Sequence, residues 1–236
     1  MIELLKIKNF KFNLSWLVFD KIFRASLNII VTIIIARNLG PENFGVLSYL
    51  LVLVFLFTTI STLGMNPVLT NNIIKFKKYD TNSILITCYL VRFLFSIISY
   101  IIFILFILQS SNSIVFLDYS IIIGLVIVFK SSEILFSYFE AKLQSKFIVI
   151  SQLIGTILLI ITLYIIFLNK LNNIFIYFAF LIEAVSIFII INFIFFKKIN
   201  YKFILRKNIK VIYKIFSDSL PVLISTMCII LYMRID

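Results

Sequence analysis

Residues 36–45, Ala-Arg-Asn-Leu-Gly-Pro-Glu-Asn-Phe-Gly, form a polar interruption between two long apolar runs, 14–36 and 45–66. The order of residue types is that of a turn between helices. Gly40 is free to take the positive φ that closes a helix. Pro41 suits the first turn of the next one, where no amide donor is needed, and Glu42 lies beside that helix's positive end. Each flanking run has about the ~20 residues a helix needs to cross ~30 Å of hydrocarbon. The turn therefore predicts two membrane-crossing helices joined by a short connection.

The pattern repeats. Further apolar runs cover 83–108, 114–138, 147–168, 174–196 and 217–235. The 236-residue chain is 62% hydrophobic and its mean hydropathy is +1.15, whereas soluble domains are about 45–50% apolar. The runs are apolar on all sides rather than alternating, which argues against barrel strands. The expected fold class is an all-α integral membrane protein with about seven transmembrane helices.

The formal charge of +12 is distributed unevenly. Lys6, Lys8 and Lys11 precede the first run. Lys75, Lys77 and Lys78 follow the second, Lys142 and Lys146 follow the fourth, and seven basic residues lie between Lys197 and Lys214. The alternate connections carry only Arg37 and Lys170. This asymmetry predicts a cytoplasmic N-terminus by the positive-inside rule. It assigns the basic charge to topology and lipid headgroups rather than to nucleic acid. The first run holds Asp20, Lys21 and Arg24 and exceeds a signal-peptide core, so it is expected to stay as a span. The chain has no His, which removes the commonest metal ligand and acid–base group. Cys88 and Cys228 fall inside apolar runs, and no disulfide, metal or cofactor is expected.

Residues 1–13 read as a basic cytoplasmic lead, and the outer connections 37–44, 109–113 and 169–173 are short. In 197–216 apolar residues such as Phe203, Ile204, Ile212 and Ile215 alternate with lysines, which predicts a helix on the inner membrane surface. From Leu220 the last run would extend only ~25 Å. It would leave Arg234 and Asp236 in or near the far leaflet, at a cost unless they are partnered.

Charges inside spans are the candidate functional residues, because a bilayer penalises them unless they face a cavity or a partner. Asp20, Lys21 and Arg24 share one side of the first helix by their spacing. Arg92 lies within the third run. Lys130 and Glu133 are three apart in the fourth and are spaced to pair. Glu183 sits mid-run in the sixth with no charged neighbour within a turn. Its alternatives are a proton-linked role and a permanent ion pair with Arg24 or Arg92. Basic Lys21, Arg24, Arg92 and Lys130 outnumber acidic Asp20, Glu133 and Glu183, so a cavity they line would favour an anion. The planar fork of Arg matches phosphate oxygens. Tyr49, Tyr89 and Tyr138 could stack on a sugar or anchor at the membrane interface.

The stretch Ser26–Gly45, with Ser48-Tyr49 and Leu63-Gly64-Met65-Asn66 after it, resembles the Wzx-type polysaccharide flippases of the oligosaccharide and multidrug exporter superfamily. So do Tyr138–Phe147 and the ending Tyr232-Met233-Arg234-Ile235-Asp236. Glu140 stands where that family usually has Gln, and Phe147 where it has Tyr. The resemblance implies two six-helix lobes. Residues 14–196 would be the N-terminal lobe, 197–216 an inner connection and 217–236 the start of a seventh helix, so that the chain would be an N-terminal fragment or truncated product. Half of such a transporter would expose its cavity face to lipid and be inactive alone. The implied task is flipping an undecaprenyl-diphosphate-linked oligosaccharide from the inner to the outer leaflet of the bacterial cytoplasmic membrane during O-antigen or capsule synthesis. Its partners would be that lipid-linked sugar, membrane lipids and other polysaccharide-assembly proteins. The rival within the superfamily is a multidrug–cation antiporter using Asp20, against which Lys21 and Arg24 argue. A membrane polymerase or glycosyltransferase would need a roomy outer loop or a catalytic domain; with neither, the chain reads as a transporter and not an enzyme.

Overall fold

The structure is a computed structural model that describes residues 2–75, 81–110, 114–198 and 209–234. Among the described residues it is helical, with no strand. The helices are α1 (Ile2–Thr62), α2 (Met65–Lys75), α3 (Thr81–Ser110), α4 (Ile114–Phe129), α5 (Phe136–Ala141), α6 (Lys146–Leu168), α7 (Ile174–Lys198) and α8 (Ile209–Arg234), with a 3-10 turn Lys130–Leu135 between α4 and α5. Six described stretches are long and apolar enough to cross a membrane, the first running from Asn13 to Ile74. The chain is thus a multi-pass membrane protein.

That first stretch is two spans. Gly40 breaks α1 with φ 72° and ψ 169°, a backbone region open essentially to glycine alone. The helix resumes at Pro41, as the turn residues predict. Residues of both arms, Arg24 to Ile35 and Phe44 to Phe55, line one cavity, so the arms lie side by side and the expected count of about seven holds. A second break follows at Leu63 and Gly64, both at positive φ. It redirects the chain into α2.

The last span corrects the sequence reading. Residues 199–208 lie outside the described residues, but 209–216 continue without interruption into α8 rather than forming a separate surface helix. Within this 26-residue helix, the stretch Tyr213–Ile230 is long and apolar enough to cross a membrane. Pro221 sits inside it, which membrane helices tolerate because neighbouring groups re-satisfy the freed backbone.

Two apolar clusters stack along the bundle. One, toward the Gly40 turn, holds Ile35, Leu47, Phe103, Ile127, Leu163 and Tyr177. The other, toward the opposite end, holds Leu69, Leu85, Phe139, Ile148, Ile191 and Phe195. In α3 through α7 the polar residues Arg92, Lys130 to Glu133, Gln152 and Glu183 fall at or beside the junction of these two layers. Outward faces carry apolar side chains such as Ile22, Leu94, Leu105 and Phe193, which lipid solvates. Lipid tails are as apolar as the core, so helix association rests on close packing at small residues. At Gly155 an added Cβ would stand 2.6 Å from Ile187 of α7. At Gly64 it would stand 2.6 Å from the Ser219 carbonyl of α8.

Candidate functional site

A cavity of about 500 Å³ opens in the polar layer, walled by both arms of α1 and by α4, the 3-10 turn, α6 and α7. Its charged lining is Arg24, Lys130, Glu133 and Glu183. Exposed Asn28 and Thr32 on its rim show that it is open along the first arm of α1. The volume falls within the ~300–1,000 Å³ of small-ligand sites.

Asp20, one turn before Arg24, accepts a hydrogen bond of 2.7 Å from its guanidinium. Asp20 is almost fully buried, while Arg24 keeps a third of its side chain exposed. The pair thus aims the cation at the cavity and seals the acid behind it. Glu183 accepts from the Thr156 hydroxyl at 3.4 Å and interacts electrostatically with Lys130 and Arg24. Three of the sequence-predicted residues, drawn from three different helical segments, therefore converge. No direct ion pair of Glu183 with Arg24 or Arg92 is found among the described residues. Arg24 Nε and Gln152 Oε1 are among the buried polar atoms that find no hydrogen-bond partner among the described residues. Both residues line the cavity.

Arg92 goes elsewhere. It is fully buried and does not line the cavity. Its Nη1 donates to Asn66 Oδ1 at 2.6 Å and its Nη2 to the Lys130 carbonyl at 3.3 Å. The latter nitrogen also lies 3.6 Å from Glu133. Asn66 follows the break at Leu63-Gly64, and Lys130 opens the 3-10 turn. One guanidinium thus ties together two places where helices depart from α geometry and leave backbone groups to be satisfied. Its depth in an apolar run gave it a substrate-binding role, but the neighbours that fold around it occupy both terminal nitrogens, and its Nε, without a partner among the described residues, is buried. The Ser137 hydroxyl adds a bond of 3.0 Å to the Asn66 carbonyl.

Glu133 pairs across to Arg92 rather than along its own segment to Lys130. Lys21 is exposed outside the cavity, within electrostatic reach of Glu140. The cavity lining consequently holds two cations and two acids, not the cationic excess read from the sequence. One of those acids is already opposed by Arg92. The three tyrosines also stand away from the cavity: Tyr138 is buried against Phe139 and Phe195, Tyr89 bonds Asn192, and Tyr49 lies against Phe116. Phe44, Phe55, Phe129 and Phe180 supply the aromatic lining instead. Asn28, Thr32, Gln152 and Thr156 went unremarked in the sequence. A signal was present: 24, 28 and 32, and likewise 152 and 156, repeat at four-residue spacing and put polar groups on one helix face. Among the described residues no group of three or more His, Cys, Asp or Glu side chains is placed to hold a metal ion.

A model of the polysaccharide biosynthesis protein family matches residues 10–236, nearly the whole sequence. No curated protein and no solved structure matches the chain.

Proposed function

The chain belongs to the polysaccharide biosynthesis protein family, and from that premise we propose that it moves an undecaprenyl-diphosphate-linked oligosaccharide from the inner to the outer leaflet of the bacterial cytoplasmic membrane. A role in polysaccharide biosynthesis and export follows from the family. The lipid-linked substrate and the direction are our reading.

The observation that carries this reading is the convergence of Arg24, Lys130 and Glu183 on one open cavity in the polar layer. A hydroxyl-rich sugar head cannot cross hydrocarbon unescorted, because each unpaired polar group costs several kcal/mol. The cavity offers Asn28, Thr32, Ser48 and Gln152 in place of water, and phenylalanine faces for sugar rings. Arg24 and Lys130 are the cations for the diphosphate, with guanidinium and ammonium acting as fork and point charge respectively. Glu183 competes with the phosphate for both. A proton taken up by Glu183 would release Arg24 and Lys130 to an anion, and its loss would expel that anion. The open side along the first arm of α1 gives the lipid tail a way to stay in the bilayer. In the same reading residues 14–196 are one lobe, and alternating access of two such lobes moves the head group. A cationic drug would need a carboxylate free of basic neighbours. Glu183 has two such neighbours, Glu133 faces Arg92, and Asp20 is sealed behind Arg24.

The test is complementation of a flippase-deficient strain by the gene. The doubly substituted Arg24→Ala/Lys130→Ala protein, present in the membrane at normal level, is expected to lose most surface polysaccharide. Undiminished export by that variant would refute the site assignment.

A further inference from the structure

A second cavity, of about 370 Å³, lies at the opposite end of the bundle from the Gly40 turn. Lys142, Lys146 and Lys198 line it with Trp16 and Phe147. These residues come from the start of the first span, from the α5–α6 connection and the first residues of α6, and from the last residue of α7. The site is built rather than incidental. Asn13 Oδ1 accepts the backbone N–H of Ser145 at 2.8 Å, across 132 residues of sequence, and closes its floor. The Lys198 ammonium donates to Gln144 Oε1.

The three ammonium groups are held by rings. Lys198 lies 3.8 Å from the Phe147 ring centroid, Lys146 5.0 Å from the same ring and Lys142 5.2 Å from that of Tyr138. Among the described residues none has a carboxylate at ion-pair distance. Aromatic faces position a cation without neutralising it. Three like charges are therefore gathered around one hollow with their mutual repulsion unrelieved, an arrangement that an anion would stabilise. The position selects the anion. Lys146 opens a membrane span and Lys198 ends one, so the hollow is at headgroup depth. Trp16 beside it is the residue type that marks membrane interfaces.

We propose that this hollow binds the phosphates of an anionic glycerophospholipid, with a two-phosphate headgroup of the cardiolipin type matching three cations best. Basic hollows between spans on the cytoplasmic side are suited to such headgroups. The site is separate from the cavity that holds Arg24, and its occupancy is measurable without any transport.

The purified full chain is titrated with cardiolipin, phosphatidylglycerol, phosphatidylcholine and inorganic pyrophosphate. Bound lipid is counted by native mass spectrometry and thermal stabilisation is followed. Cardiolipin should be retained and raise the melting temperature, phosphatidylglycerol less so, phosphatidylcholine not at all. The variant Lys142→Gln/Lys146→Gln/Lys198→Gln should bind cardiolipin roughly tenfold to a hundredfold more weakly. A control with the same charge loss, Lys170→Gln/Lys197→Gln/Lys214→Gln, should bind as the parent does. If the pocket variant does not fold, Lys146→Gln alone, whose exposed side chain rests on one ring, carries the same comparison. Equal losses in pocket and control variants, or equal retention of phosphatidylcholine, would overturn the proposal. Pyrophosphate matching cardiolipin would overturn the lipid assignment and point to a soluble phosphate.

Discussion

Arg24 and Arg92 are the same residue type at similar depth in apolar runs, yet the fold puts them to opposite uses. Arg24 has one strong partner, Asp20 on its own helix, and keeps a third of its surface open to the cavity. Arg92 has partners on two other segments, Asn66 on α2 and the Lys130 carbonyl and Glu133 on the 3-10 turn, and no exposed surface at all. What separates them is what packs nearby. Arg24 meets the open cavity, whereas Arg92 meets two helix breaks whose polar groups need donors. A charge inside a membrane protein is therefore a binding residue only when its neighbours leave its donors unspent.

That contrast is breakable by mutation. The largest expected effect is Arg92→Ala, which leaves Asn66 Oδ1 and the Lys130 carbonyl unpaired and Glu133 unopposed. The expected loss is about 3 kcal/mol of stability, seen as a large drop in melting temperature and in membrane abundance. Next is Gly40→Ala. A Cβ there has open space but an unfavourable backbone conformation, so the expected cost is about 1–3 kcal/mol. Gly45→Ala, five residues on in regular helix with equally open space, should be neutral or stabilising by up to about 1 kcal/mol. Equal effects at the two glycines would contradict the turn geometry. Arg24→Gln alone should also cost stability, because Asp20 behind it is almost fully buried and would lose its cation; Asp20→Asn/Arg24→Gln, which removes both charges, should stay closer to the parent's stability yet impair export. An unfolded Asp20→Asn/Arg24→Gln variant, or an Arg92 variant that leaves stability intact, would erase the distinction. The smallest effect is expected for Lys21→Gln, whose exposed side chain lies outside the cavity. Export and stability should match the parent within error.

Much of the bundle was legible in the sequence. Hydrophobic run length gives the spans because the bilayer imposes it, and Gly40-Pro41 marks the first turn because few other residues fit there. The charges that converge on the cavity were also visible as penalised residues. The partners were not. Glu133 is spaced to meet Lys130 on an α-helix and equally on the 3-10 turn that the chain forms at Lys130–Leu135, where side chains three apart eclipse, but Arg92 of α3 competes for it. The Ser131-Ser132 step beside a charged residue was a weak sign of that break. The continuity of α8 through 209–216 was hidden because lysines among apolar residues read equally well as a surface helix and as the snorkelling end of a span. Tertiary packing decides these points, and no local pattern encodes them.

The central claim is that Arg24 and Lys130 hold a lipid diphosphate in the cavity beside Glu183. It is tested most directly by measuring undecaprenyl diphosphate binding to the purified protein in nanodiscs, comparing the parent with Arg24→Gln/Lys130→Gln. We expect affinity to fall at least about tenfold in the folded double variant, as loss of two charge-assisted contacts requires. Unaltered affinity in a folded double variant would contradict the account.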